Sequence, residues 1–138
     1  MKELQHPYIY ELRIKVRDYE LDSEGIVNNA NYLHYFEYTR HEFCLAEGCS
    51  FDEMRKMGIF PVVSRAEIDY KNSLRSGDVI LSRLWIERKG PRFLFHQDLY
   101  RESDNATIAN ALISIASIEN GRINRGDELA SIFGKFLQ

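Results

Sequence analysis

The chain of 138 residues is 44% hydrophobic and 28% charged, a globular composition that excludes disordered and fibrous proteins. At ~100–200 residues per domain it forms one domain with a real core. Its formal net charge of −3 argues against a general nucleic-acid binder, which carries a basic surplus.

No run approaches the ~18 consecutive apolar residues of a membrane span. The start, MKELQHPYIYELRIKVR, lacks the apolar stretch and small-residue cleavage site of a signal peptide. Cys44 and Cys49 lack the spacing of a metal site and are poorly placed for a structural disulfide, so a reducing, cytoplasmic setting is expected.

Tyr8, Tyr10, Leu12, Ile14 and Val16 alternate with Ile9, Glu11, Arg13, Lys15 and Arg17, a period of two that predicts a half-buried strand. A loop containing Asp22 and Gly25 follows. Asn28 or Asn29 can cap the next helix, because a short amide side chain satisfies free backbone N–H groups. Leu33, Phe36, Arg40, Phe43, Cys44 and Glu47 then follow helical spacing, and Tyr32, Tyr35 and Tyr38 widen the aromatic surface. Such a helix is expected to be central and buried nearly all round, with Gly48 as its stop. In SFDEMRKMG, Ser50 caps a short second helix, Glu53 completes a capping box and Gly58 ends it.

Beyond Pro61 alternation returns, Val62, Ala66, Ile68 and Tyr70 against Arg65, Glu67, Asp69 and Lys71. VILSRLWIER, RFLFHQDLY and TIANALISIASI supply three more strand-like runs, with RSGD, KGP, ESDN and ENG as breaks at hairpin spacing. Strands joined so tightly are antiparallel. The last run is apolar on both faces and rich in Ala and Ser, which predicts a central position. Leu129, Ile132, Phe133, Phe136 and Leu137 predict one side of a tail helix. One strand, one long helix and four antiparallel strands require a sheet wrapped round a helix, an α+β two-layer domain.

The chain has no Gly-rich phosphate loop, no nucleophile elbow and no two-His-plus-Glu zinc signature. His34, Glu37 and His41 share one helix face, but three ligands spread over nearly two turns converge poorly on one ion. A polar stripe with Glu37–His41 pairing is the favoured reading, and no metal or cofactor is expected. Asp22 taken alone can simply compensate a helix N-terminus, worth ~0.3–1 kcal/mol. Its setting supports chemistry as well. A glycine turn followed by a capped helix presents free N–H groups to a carbonyl oxygen gaining charge. A nearby carboxylate can attack that carbonyl carbon or deprotonate a water that does.

The segment DSEGIVNNANYLHYFEYTR resembles the motif of hot-dog-fold acyl-CoA thioesterases of the 4-hydroxybenzoyl-CoA thioesterase type, nearest the branch of Tol-Pal-associated thioesterases. Asp22, Gly25, Ile26, Val27, Ala30 and Tyr32 stand at the pattern's positions. PVVSRAEIDYKNSLRSGDVIL is similar to the family's second strand and its Gly77-Asp78 turn, and ENGRINRGDEL to its closing segment. The resemblance implies a hot-dog fold, one long central helix wrapped by a five-stranded antiparallel sheet. It implies a homodimer at least, with tetramers common and active sites at the dimer interface.

On the same resemblance Asp22 matches the catalytic carboxylate, the backbone N–H of Asn29 the oxyanion donor, and Gly25, Val27 and Tyr32 the substrate-binding positions. Asn29 stands where many Tol-Pal relatives carry His, and VNNANY leans toward acyl-carrier-protein or long-chain acyl thioesterases. Its side chain either positions the thioester or caps the helix. Glu20 replaces the family's earlier Asp.

Ser64 matches a region that contacts the thioester across the interface, or is a small residue needed for packing. Glu37 stands where some relatives keep an auxiliary acid, or pairs with Arg40 or His41. Arg88, Lys89 and Arg92 cluster at a hairpin that can hold coenzyme A phosphates or an acidic carrier protein, or is simply solvated. Cys44 and Cys49 read as packing residues, because neither has an evident His partner. The expected activity is hydrolysis of an acyl-CoA or acyl-carrier-protein thioester to free acid and thiol, with Asp22 as base or nucleophile. The alternative is a hot-dog module that binds or senses an acyl thioester without cleaving it. A dehydratase needs a His at the helix start, which neither Asn28 nor Asn29 supplies.

Overall fold

The computed structural model describes residues 7–137. Its elements, in chain order, are β1 (Tyr10–Lys15), α1 (Ala30–Ala46), α2 (Phe51–Lys56), β2 (Ile59–Tyr70), β3 (Val79–Lys89), β4 (Arg92–Arg101), β5 (Thr107–Glu119), β6 (Arg122–Ile123) and α3 (Asp127–Phe133). Short 3-10 turns add Asp18–Glu20 and Gly134–Phe136. The sheet runs β1-β3-β4-β5-β2 and is antiparallel throughout, with β6 folded back on β5. Between β1 and β2 the chain passes from one edge of the sheet to the other, and α1 lies in that crossover.

This is the expected hot-dog arrangement of one helix and a five-stranded sheet. The sixth strand is the two-residue β6, turned back by Asn120 and Gly121, both at positive φ. β3 and β4 alternate cleanly, and their buried set, Ile80, Leu84, Ile86, Phe93, Phe95 and Leu99, shares one core with Tyr35, Phe36 and Phe43 of α1. β5 is paired on both sides, as its apolar faces predict. The tail helix α3 buries Leu129 and Phe133, whose ring meets Phe93 and Phe95 edge-on at 5.8 Å each.

Two expectations are corrected. α1 is not buried all round in the protomer. The sheet packs on one side of it, leaving Leu33, Tyr38 and Leu45 exposed. In α2 the Ser50 hydroxyl accepts the Glu53 N–H at 3.2 Å, but no bond joins the Glu53 carboxylate to the Ser50 N–H among the described residues. Among the described residues β2 forms an edge paired on one side only, and Phe60, Val62, Val63 and Tyr70 are exposed along it. Among the described residues no helix is long and apolar enough to cross a membrane.

Candidate active site

Asp22 sits in a closed turn. Its N–H donates to Ile26 O at 2.8 Å, and its carbonyl accepts the Gly25 N–H at 3.1 Å. Its Oδ1 accepts the N–H of Glu24 at 2.8 Å and of Ile26 at 3.4 Å. Gly25 closes the turn at φ +79°, a left-handed conformation that a side chain would strain. A bridge between Leu21 and Val27 and a bond from Val27 N–H to Leu74 O (2.9 Å) pin the loop to the chain before β3. Glu20 O accepts both Asn28 N–H at 3.0 Å and Asn31 Nδ2 at 2.8 Å. The buried Glu20 carboxylate is bonded to Arg17 N–H (2.8 Å) and Nη2 (3.1 Å). Burial pushes its pKa up and the Arg17 bonds pull it down, with a net lowering.

The helix cap falls to Asn28, whose Oδ1 accepts the Ala30 N–H at 2.9 Å. Asn29 already has helical angles (φ −57°, ψ −26°), and its side chain makes no capping bond. The N–H of Asn29 has no acceptor among the described residues. A free donor therefore stands at the positive end of a 17-residue helix.

Two clefts open on α1. A cleft of about 270 Å³ at the helix start is lined by Val27, Asn29, Tyr32 and Tyr70, among others. Tyr32 packs edge-on against Tyr70 at 5.1 Å and Tyr35 at 6.0 Å, and Tyr70 OH donates to Asn29 O at 3.5 Å. A second cleft of about 510 Å³ lies between α1, α2 and the other end of β2, with Arg40, Phe51, Ile59, Val62 and Ile115 among its lining. Val62 and Arg92 both stand opposite Ala116 of β5, so the basic β3–β4 hairpin is level with this second cleft. The expected site residues thus fall at two ends of one protomer.

Val27, Asn29 and Tyr32 meet at the first cleft, while Asp22 and Gly25 occupy the adjoining turn without lining it. Ser64 sits mid-strand at a bulge, where the β2–β5 register shifts between Val63 and Arg65, and its hydroxyl donates to Ser114 O at 3.2 Å. Arg88 is tied down. Its Nε donates to Gly90 O (3.0 Å), and its Nη2 donates to Arg125 O (2.7 Å) and Asp127 Oδ1 (2.9 Å). Lys89 is exposed and Arg92 half-buried. Glu37 pairs with His41 at 3.8 Å, and no cluster fit for a metal occurs among the described residues. Cys44 and Cys49 are free and buried, and their mutual bond pushes the Cys44 thiol up and the Cys49 thiol down.

A buried polar seam between α1 and the sheet was not anticipated. Thr39 and Ser82 hydroxyls meet at 2.6 Å, and Arg40 Nη1 donates to Gln97 Oε1 at 3.0 Å. Gln97 Nε2 in turn donates to Phe36 O at 3.0 Å. Burial lowers the Arg40 pKa to about 10. The signal was in the sequence: an arginine on the apolar stripe of α1.

Residues 16–132 match the family model described as the Thioesterase-like superfamily. The chain is 30% identical over 110 residues to the long-chain acyl-CoA thioesterase FadM of Escherichia coli, covering 79% of this chain and 83% of FadM. It is 44% identical over 69 residues to the chloroplastic acyl-acyl carrier protein thioesterase ATL3 of Arabidopsis thaliana, covering 50% of this chain and 36% of that protein. A solved structure of a hypothetical protein from Aquifex aeolicus superposes with a TM-score of 0.83 at 30% identity, covering 94% of this chain and 99% of that one. With its helix lying across an antiparallel sheet and its match over most of its length, the chain belongs to the thioesterase-like superfamily and has the hot-dog fold.

Proposed function

We propose that the chain hydrolyses an acyl thioester of coenzyme A or of an acyl carrier protein, in a site completed by a second copy of itself. The exposed edge of β2 carries this reading. The strand has apolar side chains and, among the described residues, no partner on one side, with the helix-start cleft beside Tyr70 and the larger cleft beside Ile59. Antiparallel pairing of two β2 strands about a twofold axis through their middle sets the Tyr70 end of one against the Ile59 end of the other. Each helix start then opens onto the larger cleft and the basic hairpin of the other copy, and Ser64 lies at the axis.

In that arrangement the thioester carbonyl accepts the free Asn29 N–H, where the helix dipole favours the charge that develops on oxygen. Asp22 either attacks the carbonyl carbon, expelling the thiolate and forming an anhydride that water then hydrolyses to free acid, or takes a proton from a water that attacks that carbon instead. The departing thiol, of pKa ~8.5, leaves as thiolate without a strong general acid, so one carboxylate and aimed N–H donors are sufficient equipment. Membership of the thioesterase-like superfamily and the likeness to an acyl-CoA thioesterase support the reaction class.

One observation favours a second reading, a module that binds acyl thioesters without cleaving them. Asp22 Oδ1 is already engaged by two backbone N–H groups, as a purely structural turn acid would be. A thiol-release assay over short, long and aromatic acyl groups, on both coenzyme A and carrier protein, decides between them. Turnover of some members sustains the hydrolase. Thermal stabilisation by the same thioesters without thiol release overturns it.

A further inference from the structure

Among the described residues two charged side chains are buried, Glu20 at 5% exposure and Arg40 at 6%. Their surroundings differ. Glu20 has a cation against it, the Arg17 guanidinium at 3.1 Å. Among the described residues Arg40 has no carboxylate within ion-pair distance, and its one hydrogen bond is from Nη1 to the neutral amide of Gln97. Its Nε and Nη2 donate to no group among the described residues. The charge of Glu37, one turn away, acts on it from a distance, but that carboxylate is exposed and stands beside His41. A guanidinium held this way is costly, because desolvation is not offset by an opposite charge.

Arg40 also lines the 510 Å³ cleft, a volume in the range of small-molecule pockets. Around it the wall is mostly apolar, with Phe51, Ile59, Pro61, Val62 and Ile115. The cleft's other cation, Arg55, is already joined to Asp52. The cleft's two acids, Glu37 and Asp52, stand beside His41 and Arg55, so a largely apolar wall with one guanidinium that no carboxylate meets selects a particular kind of guest. Its body is apolar, and it carries an oxygen acceptor where it meets the charge.

We propose that Arg40 recognises a carboxylate at the end of the acyl group remote from the thioester, so that the substrates are acyl groups with a carboxylate at that end rather than plain alkyl or aryl chains. This rests on the hydrolase reading above, in which the helix start of one copy opens onto the larger cleft of the other, and adds that the acyl group enters that cleft. The opposing role for Arg40 is purely structural, joining α1 to β4 through Gln97. The two differ in what they do to substrate choice.

The experiment uses matched pairs whose far end is a carboxylate in one member and a methyl group in the other, adipoyl-CoA against hexanoyl-CoA and 4-carboxybenzoyl-CoA against 4-methylbenzoyl-CoA. They are measured as kcat/KM with the native protein, Arg40→Met and Arg40→Lys. The native protein should favour at least one oxygen-bearing member by about tenfold or more, chiefly through KM, since a site built around a donor rejects the analogue that lacks the acceptor. Arg40→Met should bring that ratio to near one by slowing the oxygen-bearing member more than the plain one, and Arg40→Lys should retain part of it. Native ratios near one in both pairs overturn the proposal, as does an Arg40→Met loss shared equally by both members. If Arg40→Met does not fold, the native ratios and Arg40→Lys still decide. If no thioester is hydrolysed, the hydrolase reading fails, and equilibrium binding of the same pairs tests Arg40 independently. Tighter binding of an oxygen-bearing member to the native protein, lost in Arg40→Met and partly kept in Arg40→Lys, sustains the recognition role. Equal binding within both pairs overturns it.

Discussion

Replacing Asp22 by Asn and by Ala separates the two tasks assigned to that side chain. In the turn, Oδ1 accepts one good bond at 2.8 Å and one long one at 3.4 Å. The amide oxygen of Asn can accept both, so Asp22→Asn should cost at most ~1 kcal/mol of stability, about the net worth of a single hydrogen bond. Ala can accept neither, and leaving the two N–H groups without that partner should cost ~1–3 kcal/mol. Catalysis orders the variants differently. An amide is neither a base nor a nucleophile, and a positioned general base contributes ~10²–10⁴ in rate. At ~1.36 kcal/mol per tenfold this is ~2.7–5.4 kcal/mol lost from transition-state stabilisation in both variants. Urea unfolding and thiol release on the same preparations give the two numbers. An Asn variant that folds like the native protein but turns over at least ~10²-fold more slowly is the expected result. Native-like turnover by Asp22→Asn would refute the catalytic assignment, whatever happens to stability.

Three other outcomes follow from the same geometry. If each site takes its helix start from one copy and its larger cleft from the other, Asp22→Asn and a cleft-filling Val62→Arg are each inactive alone. Mixed after unfolding and refolding together, half the dimers are hybrids with one intact site, restoring about a quarter of native activity; no recovery would place both parts of the site in one copy. For pH, the Glu20 carboxyl is held below its ordinary 4.5 in the folded chain. A depressed carboxyl contributes stability that is present above the unfolded value and lost as pH falls through the folded one. The stability difference between the native protein and Glu20→Gln should therefore be full near neutrality and shrink below about pH 4.5, and a difference flat down to pH 3 would contradict it. Gly126 has φ +77°, and an added Cβ would lie 2.8 Å from Phe93 Cε2. Gly126→Ala should lower the urea midpoint by the equivalent of ~1–3 kcal/mol, with activity retained once folded.

The periods of two and of 3.6 made β3, β4 and α1 readable, because backbone geometry repeats them whatever lies alongside. β5 was legible for the opposite reason, since apolar residues on both faces fit an interior strand. The Asp22 turn was readable from an acid three places before a glycine. Which asparagine caps α1 was not, because either amide has the reach; the choice depends on Asn29 already having helical angles. Arg88 shows a different limit. Its cluster with Lys89 and Arg92 suggests a phosphate site, yet two of its acceptors are Arg125 O and Asp127 Oδ1, the latter 39 residues away at the start of α3. A local charge pattern carries no information about what the chain later brings to it.

The larger omission was the open side of α1 and the bare edge of β2. Leu33, Tyr38, Phe60 and Val63 look in the sequence like any core residues, because an apolar side chain is written the same way whether its own chain or another covers it. Periodicity reports which way a side chain points and is silent about who meets it. Reading α1 as buried all round assumed that its own chain supplied every neighbour, although the resemblance already implied a homodimer with active sites at its interface. Once a second copy is allowed at β2, the exposed face of α1, the bare strand edge and the two separated clefts become parts of one arrangement. An assay of isolated monomers should accordingly find neither a complete pocket nor turnover.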